Sequence, residues 1–373
     1  MFTKERSAAT KGIAIAAMLF HHCFFTAKIY SGYFVDFSPF PEYFVNNIAT
    51  FGKFCVGIFA FISGYGLALK WDHFSKDQKN LSDFFVTRYI HTLSGFWFVF
   101  PICCLLFQLI DGRTLTTYFS GTAAENLFGF VSSFLGVSRL MGTPNLIYEW
   151  WYMSAAVLFI LLVPIFTRMV KSLGFLASAL LVMMLPRVFG IEFAGGTQPF
   201  SFIMPVLLGI YFYSNNTFDR IHQWISRYSG KFRGQLIPLI LGTAGLLIAY
   251  WLYRELPFEN YWEIKYGVIP VAVIIILNET LLQFRFARRL FLHLGNHSMN
   301  MYLIHMFFLT YLKELLFSHR HFLVSWLLLM IFSLLSSYAV ELLKKAVGWN
   351  RLTSLLLSRV SNMHTPSDAS GQL

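Results

Sequence analysis

Lys11 and His22 are the first pair in this chain whose types and spacing invite chemistry. They close the stretch KGIAIAAMLFHH, residues 11–22, inside an apolar run near the N-terminus. On a helix at ~100° per residue, eleven residues return His22 to within about 20° of Lys11, about 16 Å further along the same face. His21 points about 80° away, so the two imidazoles are not expected to share one cavity, and one of them is expected to be structural. Ionisable groups at membrane depth face a bundle interior or a water-filled cavity. The deeper imidazole suits a general base, a proton relay or a metal ligand, with a hydrogen-bonded packing residue as the plainer alternative. Metal binding is not expected, because no carboxylate or third histidine stands at ligand spacing on neighbouring turns.

Three further stretches carry candidates. GIFAFISGYG, residues 57–66, sets Ser63 among glycines and aromatics. It reads as a small-residue helix interface. It is not a nucleophile elbow, because Phe61 stands where the first glycine belongs and no strand precedes it. LGNHSMNMYLIH, residues 294–305, puts Tyr302 and His305 three apart on one helix face. Gly295 and Asn296 there read as a break before membrane entry, with Ser298 as the cap of the following helix. YEWWY, residues 148–152, is either an interfacial aromatic belt or, through Glu149 and Trp150, a platform for a sugar. The basic groups near Arg88–His91 and Arg285–Arg289 are topology signals that would also clamp phosphates.

The elements that must position these residues are membrane helices. The chain has 373 residues, 56% hydrophobic and 13% charged, well below the charged share of a soluble domain. Ten apolar segments follow, at about 12–29, 51–69, 89–110, 150–167, 173–189, 200–213, 236–253, 266–282, 299–317 and 322–343. The sixth is short and follows Gly195 and Gly196, which predicts a tilted, broken or re-entrant element. Placing both termini in the cytoplasm puts most of the 29 basic residues on that side, so the net charge of +11 reads as topology and anion binding rather than nucleic-acid binding. The fold class is therefore all-α, a polytopic bundle of about ten transmembrane helices with cytoplasmic termini. Residues 1–359 form its membrane domain, and 360–373 are expected as a disordered polar tail. The connection 111–149 is long enough to be functional, and its apolar patch 127–137 predicts an interfacial or partly inserted helix. The polar His21–His22 pair ends the first run without a cleavage site, so this run is expected as a mature helix rather than a signal peptide. Cys23, Cys55, Cys103 and Cys104 show no CxxC or metal spacing and are expected as buried hydrophobes.

Together these stretches resemble the acyltransferase-3 family of membrane acyltransferases, often O-acetyltransferases of cell-surface glycans. The family's basic residue, ten residues and histidine match Lys11 and His22. Its F-x-x-SG-[FY]-type turn resembles FAFISGYG at Ser63 and Gly64, its Trp-aromatic stretch matches Trp150–Tyr152, and its late YLIH pattern matches residues 294–305. The resemblance spans residues 6 to about 315. Two departures stand out. The family usually has arginine where Lys11 is, so bidentate geometry gives way to a point charge. Its Arg-x-x-Arg appears here as Arg88-x-x-His91.

The resemblance implies that His22, Ser63 and His305 are catalytic, His22 as base or as carrier of the acyl group, and that Lys11, Arg88 and His91 hold the phosphates of a cytosolic acyl-CoA. Glu149, Trp150 and Tyr302 would face the acceptor. Acyl-CoA, with acetyl as the default, is implied as co-substrate rather than a permanent cofactor. A glycan or glycolipid hydroxyl is the acceptor, membrane lipid surrounds the protein, and the location is a bacterial inner membrane. Some family members carry an extracytoplasmic hydrolase-like domain that is not seen in these residues, so a partner enzyme is also an expectation. The rival from another class is a transporter or flippase for a lipid-linked sugar or small solute. Paired broken helices in symmetric halves would favour it, and the sequence shows no such symmetry.

Overall fold

The computed structural model describes residues 2–76, 80–190, 196–228, 236–255 and 262–362. In chain order, the helices begin with α1 (Lys4–Phe24), α2 (Glu42–Phe51), α3 (Phe54–Lys76) and α4 (Leu81–Asp111). Three short helices follow, α5 (Arg113–Tyr118), α6 (Ala123–Phe134) and α7 (Ser138–Met141). Then come α8 (Trp151–Val188), α9 (Ile203–Ser214), α10 (Thr217–Tyr228), α11 (Leu236–Glu255) and α12 (Ile269–Glu279). The chain closes with α13 (Arg285–Tyr311), α14 (Lys313–Phe317), α15 (Phe322–Ala346) and α16 (Trp349–Asn362). Helix α16 runs three residues into the expected tail, and 363–373 lie outside the described residues.

All ten apolar segments fall on helices. Segments four and five share α8, which Gly174 divides by leaving the helical region (φ 78°, ψ 169°). Segment six is a 3-10 turn, Pro199–Phe202, running into α9. By length and composition alone, five stretches among the described residues suffice to cross a membrane: Glu42–Lys76, Leu81–Asp111, Tyr148–Leu185, Ile264–Gln283 and Phe322–Ala346.

Helix α15 shows the solvent for which these helices are built. It buries Ser325, Ser333, Ser337 and Lys344 and turns Leu327, Ile331, Leu335 and Leu342 outward. That is the inverse of a helix on a water-soluble protein, where the apolar stripe faces the core. Apolar residues outside and polar residues inside fit a hydrocarbon surround.

Two helix crossings hold the middle of the bundle. A Cβ on Gly12 of α1 would overlap the carbonyl of Phe291 on α13, and one on Gly295 would overlap the carbonyl of Ala8. Glycine at both places lets the two backbones touch, which is how membrane helices gain packing without a hydrophobic driving force. Gly295 is therefore not the break expected from the sequence. Helix α13 is continuous through it, and Ser298 Oγ donates back to the Gly295 carbonyl at 2.8 Å instead of capping a new helix. Gly64 of α3 and Gly209 of α9 make the second crossing in the same way, against Val206 and Phe61.

The connection after α4 folds back along it. A capping box of Thr122 and Glu125 starts α6. Trp97 Nε1 of α4 donates to the Phe134 carbonyl at 2.9 Å, and the Tyr89 hydroxyl donates to the Leu135 carbonyl at 2.7 Å. The expected apolar helix thus exists, and it lies against residues 89–100 of α4 with Leu127, Phe128 and Val131 exposed. From its end the chain re-enters the bundle, the Arg139 amide donating to Ser154 Oγ at 3.1 Å.

Candidate active site

Helices α1, α3, α4, α8 and α13 enclose a cavity of about 590 Å³. Lys11, His21 and His22 line it from α1, and Ser63 from α3. Glu149, Tyr152 and Tyr302 also line it. Helix α1 is unbroken from Thr3, whose side chain accepts from the Arg6 amide at 3.2 Å, to Phe24. Lys11 and His22 are therefore held on one rigid element, about 16 Å apart along its axis.

The two neighbouring histidines differ in their bonding. His21 Nδ1 donates to the Ala49 carbonyl at 2.8 Å, which ties α1 to α2. His22 has no hydrogen-bond partner among the described residues and is half-buried at the cavity wall. The expectation that only one of them reaches the cavity is corrected, because both line it. The hydrogen bond to Ala49 nonetheless marks His21 as the structural one.

His305 stands behind His22, with ring centroids 4.9 Å apart. It is fully buried, and its Nδ1 donates to the Tyr302 carbonyl at 2.7 Å. A carbonyl can only accept, so the proton of neutral His305 sits on Nδ1 and its Nε2 is left as an acceptor. Among the described residues that Nε2 has no partner. A second ring nitrogen is thus available beside His22.

The loop that precedes α8 sets the opposite wall. Trp150 is buried against Phe96 and Phe100, and its Nε1 donates to the Leu303 carbonyl at 3.1 Å. The Tyr302 hydroxyl donates to the Glu149 carbonyl at 2.6 Å. These two bonds pin the Tyr148–Trp150 turn onto α13, and Glu149 lines the cavity as a result. Trp150 does not line it, so its place is in the core that holds Glu149.

Of the residues expected at the coenzyme, Lys11 lines the cavity and Arg88 and His91 do not. Thr92 of α4 is the lining residue there. Arg88 lies four residues before Thr92 and continues its helix face by one turn, whereas His91 is exposed. Lys11 has no carboxylate within ion-pair distance among the described residues, whereas Arg6 and Arg288 near it pair with Glu279 (3.8 Å) and Glu5 (3.0 Å).

Sequence reasoning passed over Lys53, Thr92 and Thr197, all of which line the cavity, while Tyr148 and Tyr152 of the YEWWY stretch line it too. Lys53 carried a readable signal, a cation inside the apolar stretch FGKFCVG. Thr92 and Thr197 carried none. Cys23, Cys55, Cys103 and Cys104 are free and buried, and Cys55 contributes to the lining.

An inverted helical bundle around a cavity, with a cation and an imidazole placed on it by one helix, fits an integral membrane protein. The family model described as an acyltransferase domain, that of the acyltransferase-3 family, matches residues 8–342, and the chain belongs to that family. It is a membrane acyltransferase. No curated protein and no solved structure matches it.

Proposed function

We propose that this protein moves an acyl group, acetyl by default, from cytosolic acyl-CoA to a hydroxyl of a cell-surface glycan or glycolipid, with His22 as the reacting base. The observation that carries this reading is His22 itself, an imidazole without a hydrogen-bond partner among the described residues on a cavity whose other end holds Lys11. An imidazole left open in a packed bundle has something to bind or deprotonate, because buried polar groups are otherwise satisfied.

Coenzyme phosphates meet Lys11, with Arg88 one turn below the Thr92 face, and the pantetheine arm runs up the cavity. Its extended length is of the order of the Lys11–His22 separation. His22 takes the proton of the acceptor hydroxyl as that oxygen attacks the thioester carbonyl. The tetrahedral oxyanion collapses, the C–S bond breaks, and the proton passes from His22 to the leaving thiolate. His305 accepts a hydrogen bond from the other nitrogen of His22 when the ring turns toward it, which orients the base. Ser63 donates to the oxyanion. Glu149 and Tyr302 border the acceptor, and Trp150 holds that border in place. The helices make ten crossings of a bacterial inner membrane with both termini cytoplasmic.

His22→Ala is expected to lower acyl transfer at least about a hundredfold, in line with the usual contribution of a general base. Insertion and expression should be retained. Mass spectrometry of surface glycans, before and after mild base, reads the esters. Full esterification by the variant, or solute uptake without new esters, would overturn the reading, and the latter result would favour a transporter.

A further inference from the structure

Lys53 has no part in the transfer as described so far, yet its side chain lines the same cavity. It stands at the turn between α2 and α3. A Cβ on the preceding Gly52 would lie 3.0 Å from the Ala17 carbonyl oxygen and 3.5 Å from Cβ of His21. The Lys53 turn is therefore level with residues 17–21 of α1, toward the histidine end, about 9–15 Å along that helix from Lys11.

Gly196 closes over it. A Cβ there would fall 2.5 Å from Lys53 Nζ and 2.7 Å from the Tyr266 hydroxyl oxygen, so any side chain would push the ammonium aside. The ammonium also lies 5.8 Å from the centroid of the Tyr266 ring. Among the described residues no carboxylate lies within ion-pair distance of Lys53. An unpaired cation at membrane depth is costly unless a ligand pairs with it. Beside it, the Tyr148 hydroxyl and Thr197 Oγ1 share a hydrogen bond of 3.0 Å, and Trp151 and Tyr152 line the same cavity. Aromatic faces next to hydroxyl groups suit a sugar ring better than a lipid tail.

We propose that Lys53 is the anion-recognising residue of the acceptor subsite, and that the acceptor is an acidic glycan bearing a carboxylate or phosphate near the hydroxyl to be acylated. This rests on the transferase reading for its term "acceptor", but its geometry is independent of which group His22 deprotonates. The ammonium pairs with the acid group and turns the neighbouring hydroxyl toward His22.

Equilibrium binding to the intact protein in lipid nanodiscs tests this without any acyl transfer. The probes are trigalacturonate, its neutral methyl ester, a short glycerol-phosphate oligomer and neutral glycerol oligomers. The wild-type protein is expected to bind at least one acidic probe tenfold or more tightly than its neutral counterpart, equivalent to about 1.4 kcal/mol. Preference for the uronate alone identifies a carboxylate source, and preference for the oligomer alone identifies a phosphate source. Lys53→Gln should erase the preference by weakening only the acidic probe, and Lys53→Arg should keep most of it. Equal binding of acidic and neutral probes by the wild type, or an unchanged preference in Lys53→Gln, overturns the proposal. Such a failure leaves the His22 reading standing, and an active His22→Ala protein leaves this binding preference standing.

Discussion

The two sides of α13 treat polar side chains in opposite ways. Toward α15, His297 Nδ1 bonds Ser337 Oγ at 2.9 Å. Asn300 Nδ2 donates to Ser337 Oγ at 3.2 Å and to Glu341 Oε1 at 2.8 Å. Lys344 Nζ donates to Asn300 Oδ1 at 3.2 Å and to Glu341 Oε1 at 2.8 Å. Toward α1, His305 keeps an unpartnered Nε2 among the described residues, and His22 and Lys11 face a cavity. The same residue types thus serve as helix glue on one side and as an open wall on the other. The difference lies in whether a neighbouring helix supplies the second half of each bond. A buried group without its partner costs about 1–3 kcal/mol, and a structure keeps that cost where a substrate will offset it.

Substitutions on the two sides should therefore fail differently. The largest effect is expected where both sides are assembled. Gly295→Leu puts a side chain into the Ala8 carbonyl and should abolish the folded protein, read as loss of the monodisperse peak after detergent extraction. His22→Ala comes next, with at least about a hundredfold loss of transfer and unchanged thermal unfolding. A variant that unfolds instead would place His22 with the glue. Lys11→Ala should raise the KM for acyl-CoA about tenfold, while Lys11→Arg restores it through a bidentate phosphate contact. Equal KM values in all three proteins would remove Lys11 from the coenzyme. Smallest for activity, Asn300→Leu on the paired side should cost about 1–3 kcal/mol of stability, seen as a lower Tm, with kcat kept within about twofold. A large loss of kcat at unchanged Tm would erase the distinction between the two sides.

Much of the chamber was legible because α-helical geometry is local. Lys11, His22, Ser63 and Tyr302 all lie on helices, and their spacing and placement in apolar runs were enough to nominate them. Helix α13 was harder to read. Its glycine and polar residues look like a helix boundary in sequence, and only the approach of Ala8 and Gly12 shows why a glycine stands inside it. Trp150 and His91 were misplaced for a related reason. An aromatic or basic residue next to a polar one is a neighbour in the chain, but which of the two turns inward depends on what the helix packs against. Trp150 turned into the core against Phe96 and Phe100, and Thr92 rather than His91 reached the cavity.

The amino-acid order by itself set the class of solvent, the apolar segments and the alignment of Lys11 with His22, since hydropathy and the 3.6-residue period need no partner to act. Packing between distant segments decided the rest: which imidazole is bonded and which is open, which lysine meets a carboxylate and which meets a cavity. Those outcomes depend on the second member of each pair, as the Ala49 carbonyl of α2 does for His21 of α1.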